Sequence, residues 1–312
     1  MKMPHCMSLK GRHHNIAAML WIILICCFSS FVQAASQPLL WKVEDQRSQV
    51  RLYLFGSLHY GDKKFYPLPD TVLNAYQASD ALAVELDIDA LKAEQIHITL
   101  QRYGYYSDGK NLPAAAGVQL WQKIKDISSS LGIDAQQLTP FQPWLAAMQL
   151  TSLQLARSNY QPSLGVDKYF LSAARGKKNI LELETLDEQM QLFSQLSESE
   201  QLEFLQITLK EHGTTEDSLN TLAEAWYRGD EKTLDEAVFS AFHERPLGKK
   251  LYQMIFIERN KQMVQTVEKY LKNIQQIFLV VGIGHMLGDD GLIALLEEKG
   301  YTVTRISPVL DD

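Results

Sequence analysis

The sequence predicts an α/β protein with a central mixed sheet and large helical insertions that form a cap. Three observations lead there. Short apolar runs with the length of strands are separated by long stretches with helical spacing. Two of these runs, one near each end of the mature chain, finish in the same Gly-x-x-His pattern: Gly56-Ser57-Leu58-His59 and Gly282-Ile283-Gly284-His285. The chain has 312 residues and an ordinary share of apolar side chains, enough for one large α/β domain.

Taken in order, residues 39–44 and 50–55 alternate apolar and polar around a polar turn at 45–48, which reads as a hairpin. Its second strand delivers His59. Pro67 and Pro69 mark a loop, and Asp70 caps a helix running to Ser79. The run ALAVEL at 81–86 is the next buried strand, with Glu85 near its end. Strand, helix, strand predicts a parallel βαβ pair, which sets Glu85 beside His59 at one sheet edge. A first helical insertion covers about 89–178, with helical spacing at 90–103, 114–131, 144–158 and 166–175. The run NILELE at 179–184 is a further strand ending at Glu184. A second insertion, about 187–272, is broken near Gly213, Gly229 and Pro246 and carries Arg259 and Asn260. The Gly282–His285 strand, a helix ending before Gly300 and a strand at 301–306 complete the chain.

Residues 1–34 stand apart. Lys2, Lys10 and Arg12 precede a strongly apolar run at 16–31, followed by Val32-Gln33-Ala34. This order is that of a secretory signal peptide cut after Ala34. It predicts an exported, periplasmic protein whose single domain is 35–312. The alternative is a membrane anchor formed by residues 16–32, a stretch short for a full span. All three cysteines (Cys6, Cys26, Cys27) fall in this segment, so the mature chain has no disulfide and no thiolate ligand. A net charge of −7, with no basic stripe beyond the first residues, excludes a nucleic-acid surface. Contact with a membrane is expected only through the N-terminal segment if it stays uncut.

Sites in open α/β sheets gather outside the carboxyl ends of strands. His59, Glu85, Glu184 and His285 are all expected there. Two imidazoles and a carboxylate suit a divalent metal, zinc included, and leave coordination positions open. His59, His285 and Glu85 are the candidate ligands. Glu184 is the candidate general base or an orienting partner, and sequence alone does not decide between it and Glu85. Arg259 is a candidate for holding a substrate carboxylate or developing negative charge. The substrate expected of such a metal site is a small carbonyl-containing compound. A lone histidine after a strand is usually an ordinary loop residue, so the matched pair carries the argument. His97, His212 and His243 lie in helical stretches without partner motifs and read as surface or packing residues. The glycines at 282, 284 and 288 depart from the dinucleotide spacing, and no G-x-S-x-G or G-x-x-x-x-G-K motif is present.

The pieces FGSLHYG, LPDTVLNAYQASDALAVELD, GVDKYFLSAARGKKNILELET, IERNKQM and VVGIGHMLGDDGLIALLEEKGYTVTRI resemble the TraB/GumN family. That family is related to the TIKI proteases and, more distantly, to erythromycin-esterase-like enzymes. The resemblance covers nearly all of the mature chain. It implies a TIKI/TraB-like fold and an active or metal site built from the two Gly-x-x-His motifs and acidic residues. Here these correspond to Gly56 with His59, Gly282 with His285, Glu85, Glu184, and the pair Arg259 and Asn260. Ser57 stands where Thr is commoner. The activity implied is a metal-dependent, peptidase-like hydrolase with manganese or cobalt. Two other readings stand beside it: a non-catalytic periplasmic protein that sequesters a peptide or other ligand, and a metal-independent esterase-like hydrolase using His and Glu as acid and base. For the N-terminal segment, mass spectrometry of the exported protein should find Ala35 first; Met1 retained in a membrane fraction would mean an anchor.

Overall fold

The computed structural model describes residues 37 and 39–307, with Asp108 excepted, so the segment read as a signal peptide lies outside the described residues. Strands β1 (Leu40–Glu44) and β2 (Val50–Ser57) form the expected antiparallel hairpin. In its turn, Asp45 Oδ1 accepts the amides of Arg47 and Gln49. Strands β3 (Ala81–Val84), β4 (Asn179–Glu182), β5 (Ile277–Gly282) and β6 (Thr302–Arg305) complete a six-stranded sheet in the order β4-β3-β5-β2-β1-β6. Neighbours from β4 to β2 are parallel, while β1 is antiparallel to both β2 and β6. The sheet is therefore mixed, as the sequence predicts.

One expected pairing is corrected. β2 and β3 flank helix α1 (Asp70–Ala78) and run parallel, yet they are not neighbours: β5 lies between them and bonds to both. The cause is the burial demand of β5. Ile277 to Val281 are all buried, and an unbroken apolar strand needs neighbours on both sides and cover on both faces. Phe278 on this strand has ring centroids 6.1, 5.6 and 4.8 Å from those of Phe55, Tyr76 and Phe170. A second correction concerns α1. Its N-cap is Pro69, without a side-chain cap, and Asp70 is the first helical residue, where its charge suits the positive end of the helix.

The first insertion holds α2 (Ala93–Gly104), α3 (Leu112–Ser130), α4 (Pro143–Leu155) and α5 (Val166–Ala174). The second holds α6 (Leu186–Ser194), α7 (Glu198–Lys210), α8 (Thr215–Arg228), α9 (Glu231–His243), α10 (Pro246–Tyr252), a π-helical turn Gln253–Glu258 and α11 (Arg259–Tyr270). The breaks at Gly213, Gly229 and Pro246 fall where the sequence puts them. A further break precedes Ser197, whose side chain opens α7 in a capping box with Glu200. Helix α12 (Leu292–Glu298) joins β5 to β6. Helices from the two insertions share a core of their own, with Ile124 of α3, Ala146 and Leu150 of α4 and Leu205 of α7 buried together, separate from the core around the sheet. Insertion helices α5, α8, α9 and α11 instead give buried residues to the core around the sheet. Among the described residues no helix is long and apolar enough to cross a membrane.

Strand order fixes the geometry of one edge. The carboxyl ends of the four parallel strands present, in spatial order, Glu184, Glu85, Gly282 with His285, and His59.

Candidate active site

Backbone bonds hold each member of this row. Beyond the ends of β3 and β4, the amide of Leu183 donates to Val84 O (2.9 Å) and that of Glu184 to Glu85 O (3.0 Å), so the two glutamates stand side by side. Thr185 then opens α6 with a capping box to Glu188, which ends the extended run directly after Glu184. On the other side, the loop carrying His59 is strapped to the segment before α5. Gly61 and Gln161 exchange two backbone hydrogen bonds, and Val166 N donates to Leu58 O. Gly165 lies so close to the His59 carbonyl that a Cβ there would clash.

The motif glycines serve space. Gly282 has φ −52°, open to any residue. At Gly56 a Cβ would run into Ile283, which presses onto β2. At Gly282 a Cβ would lie 3.3 Å from Glu85 Oε1, 3.5 Å from His59 Nε2 and 3.9 Å from His285 Cδ2. The missing side chain therefore leaves a cradle in the middle of the cluster. After Gly282 the chain makes one 3-10 turn, Ile283–His285, which brings His285 back over that cradle.

Glu85 is the hub. Its Oε1 accepts the Gly282 amide at 2.7 Å and its Oε2 accepts Arg259 Nη2 at 2.8 Å. His59 Nε2 lies 3.9 Å from Oε1, and His285 Nε2 lies 3.9 Å from Oε2. Burial favours the neutral acid, yet the His285, His59 and Arg259 charges and the Gly282 amide outweigh it and hold Glu85 down at about 2. Glu184 is gripped as a fork: Arg259 Nε donates to Oε1 (2.7 Å) and Nη2 to Oε2 (2.6 Å), and Gln189 adds a bond to Oε2 at 3.1 Å. Arg259 Nη1 bonds Ile255 O across the π-helical turn. The guanidinium is thus spent on two carboxylates, so the expectation that it holds a substrate carboxylate gives way to one in which it neutralises and orients Glu85 and Glu184. Both oxygens of Glu184 are likewise engaged, which leaves that residue little freedom as a base.

The imidazoles are oriented from behind. Asn260 Nδ2 donates to Asp290 O at 2.8 Å, which turns its Oδ1 toward His285 Nδ1 at 2.6 Å. Nδ1 must then carry the hydrogen, and Nε2 presents a lone pair toward Glu85. Burial keeps this imidazole neutral and lowers it to about 4, against the pull of Glu85. His59 is the open member, its side chain 57% exposed, with Nδ1 3.4 Å from Asp167 Oδ1. That oxygen is buried and makes no hydrogen bond among the described residues, so the contact is an ion-pair approach. Removal from water disfavours a charge on His59, but Asp167 and Glu85 prevail and raise it to about 9, an effect that solvent at so open a side chain weakens.

Two contributions, Asp167 and a π-helical turn, were not foreseen from the sequence, and Asn260, expected only as half of a pair with Arg259, gains a role. Asp167 sits in the first turn of α5, away from any strand end; it falls within the piece GVDKYFLSAARG that carries the family resemblance, but nothing there marks it as a site residue. Asn260 acts on His285, and it reaches it from the residue next to Arg259. The π-helical turn before Arg259 is a feature often found at functional sites. His97, His212 and His243 lie outside the cluster, in or beside helices.

Among the described residues no group of three or more His, Cys, Asp or Glu side chains is placed to hold a metal ion as it stands. The donor set nevertheless fits a cation. Ionised Glu85 and the neutral His285 Nε2 face each other across the Gly282 cradle, and His59 Nε2 on the third side would add a further donor once a metal displaced its proton. Each imidazole is backed at Nδ1 by an oxygen, as is usual for metal-bound histidines.

The model of the TraB/PrgY/gumN family matches residues 39–305. An uncharacterized protein, YbaP, of Escherichia coli (strain K12) is 24% identical over 251 residues, covering 78% of this chain and 87% of that protein. An uncharacterized protein of Treponema pallidum (strain Nichols) is 18% identical, covering 84% of this chain and 81% of its own. The metalloprotease TIKI2 of Danio rerio is 24% identical over 90% of this chain and 63% of its own length. No solved structure matches the chain.

The buried imidazole has a stability consequence with a definite sign. His285 is lowered from 6.5 to about 4, so between those values the unfolded chain binds a proton that the folded chain does not. Stability contributed by the neutral form is full above about 6.5 and falls as pH drops toward 4. Glu85 adds a further loss from about 4.5 down toward 2. His59 acts in the opposite direction between 6.5 and about 9, weakly because it is exposed. In chelator-treated protein the urea midpoint should fall from pH 6.5 to 4, and His285→Gln should flatten that interval and lessen the loss below 4.5, because one of the charges holding Glu85 down is gone. An unchanged midpoint from pH 6.5 to 4 contradicts the buried neutral imidazole.

Proposed function

The chain belongs to the TraB/PrgY/gumN family, and on that premise we propose that the strand-edge cluster is the centre of an exported, divalent-metal-dependent hydrolase acting on a peptide or another carbonyl substrate. The observation that carries the reading is the Gly282 cradle, with ionised Glu85 between two imidazole Nε2 atoms. The Danio rerio relative is named as a metalloprotease, which points the same way.

In this reading His285, His59 and Glu85 hold the ion. The chemistry such an ion supplies is polarisation of a carbonyl and acidification of a water. The chain's own residues prepare the ground for it. Asn260 fixes the His285 tautomer, and Asp167 turns Nε2 of His59 inward. Arg259 balances the buried carboxylates and keeps a positive charge near the place where a carbonyl oxygen gains negative charge. Glu184 locks Arg259 in that position. His59, the exposed member, is the residue a substrate meets first. A metal-independent reading draws support from the same His59–Asp167 contact, which resembles an acid–base dyad.

Metal analysis and peptide-library hydrolysis on the same purified variants separate these readings. Glu85→Gln and His285→Ala should lose both bound metal and at least about 100-fold in turnover. Glu184→Gln and Asn260→Ala should keep metal at saturating concentration and lose about 10- to 100-fold in activity or metal affinity. Parent-level hydrolysis by metal-free protein, lost only in His59→Ala and Asp167→Ala, transfers the assignment to the dyad. Peptide binding without cleavage in the metal-loaded parent transfers it to a sequestering protein.

A further inference from the structure

We propose that the hollow opening beside His59 and Glu85 is a side-chain pocket that selects substrates carrying one bulky apolar residue next to the attacked carbonyl. The proposal deepens the hydrolase reading and rests on it for the nature of the ligand. The hollow has a volume of about 240 Å³, and Tyr60, Leu86, Ile88 and Pro162 form its apolar walls over a floor of Val84 and Val280. Sites for whole small molecules typically run from about 300 to 1,000 Å³. This one falls short of that range and has room for a single side chain.

Charge gives the second argument. Of the charged groups on its border, Glu85 is held by Arg259, Lys168 stands 3.5 Å from Asp89, and Asp167 faces His59. Gln189 gives its amide to Glu184. An anionic side chain entering the hollow would be desolvated beside Glu85 and Asp167, and a cationic one would have to compete with Arg259 for Glu85 and with His59 for Asp167, whereas an apolar one gains contact with the walls. Ile88 is 39% exposed at this wall. Single exposed apolar residues are ordinary on protein surfaces; what distinguishes Ile88 is that it shares a pocket with His59. Lys168 also borders a second, broader hollow of about 720 Å³ that includes Tyr66, Leu164 and Tyr169. A chain extending past the anchored residue finds further apolar surface there, which favours a peptide over a small ester.

The test is binding observed at Ile88 itself, scored apart from cleavage. Protein carrying labelled isoleucine methyl groups is titrated with capped tripeptides whose central residue is Gly, Leu, Phe, Lys or Glu, and the Ile88 signal is assigned with Ile88→Val. The Leu and Phe peptides should shift the Ile88 methyl saturably and bind at least about tenfold tighter than the Gly peptide, since even one methylene in an apolar pocket discriminates on that scale. The Lys and Glu peptides should bind no better than Gly, and Ile88→Glu should erase the preference. Equal affinities for Gly and Leu, or Leu binding that leaves the Ile88 signal unmoved, overturns the pocket. Apolar-selective binding without cleavage keeps the pocket and sinks the hydrolase reading. Cleavage indifferent to the central residue does the reverse.

Discussion

One buried carboxylate, that of Glu85, ties the site together. A charge taken out of water must be matched by partners, and removing a partner from such a pair costs about 3–5 kcal/mol. Glu85 meets the requirement with the Gly282 amide on one oxygen and Arg259 on the other. These bonds join the end of β3 to the end of β5, 197 positions away, and to the start of α11, 174 positions away. Arg259 is in turn anchored by Glu184 past the end of β4. The ends of three parallel strands are therefore cross-linked by one acid–base–acid arrangement, and His59 closes the row from the fourth.

The same constraint explains the two imidazoles. Both face Glu85, yet they are prepared differently. His285 is buried, neutral and pinned through Asn260 to the Asp290 carbonyl. His59 is open to solvent and leans on Asp167. A fixed inner donor and an open outer one suit a site that must hold an ion and still admit a ligand. The strap between Gly61 and Gln161 keeps the outer donor in place without burying it.

Much of this was legible in the sequence because each of the four candidate residues ends an apolar run, and a parallel sheet collects such ends on one edge. The hairpin, the glycine breaks in the second insertion and the closing strand followed from local patterning. What did not follow came from long-range pairing and from side-chain partners. Nothing local to β2 or β3 tells that a strand some 200 residues later will slip between them; only the all-apolar composition of Ile277 to Val281 demands a central place. Asp167 was invisible because it lies at a helix start rather than a strand end. Arg259 and Asn260 were recognisable as a pair, but that one grips carboxylates while the other orients an imidazole is set by their neighbouring positions at the head of α11. The motif glycines prove to be gaps, one for Ile283 and one for the cradle, and such space is set by the neighbours and not by the local pattern.

A cation between His59, Glu85 and His285 is tested most directly by anomalous scattering from crystals of the protein soaked in manganese, cobalt and zinc. The expected result is one peak in the Gly282 cradle, within bonding distance of both Nε2 atoms and a Glu85 oxygen, about 2.0–2.2 Å for zinc. A peak elsewhere, or an empty cradle with Arg259 still closing Glu85 at saturating metal, would contradict it.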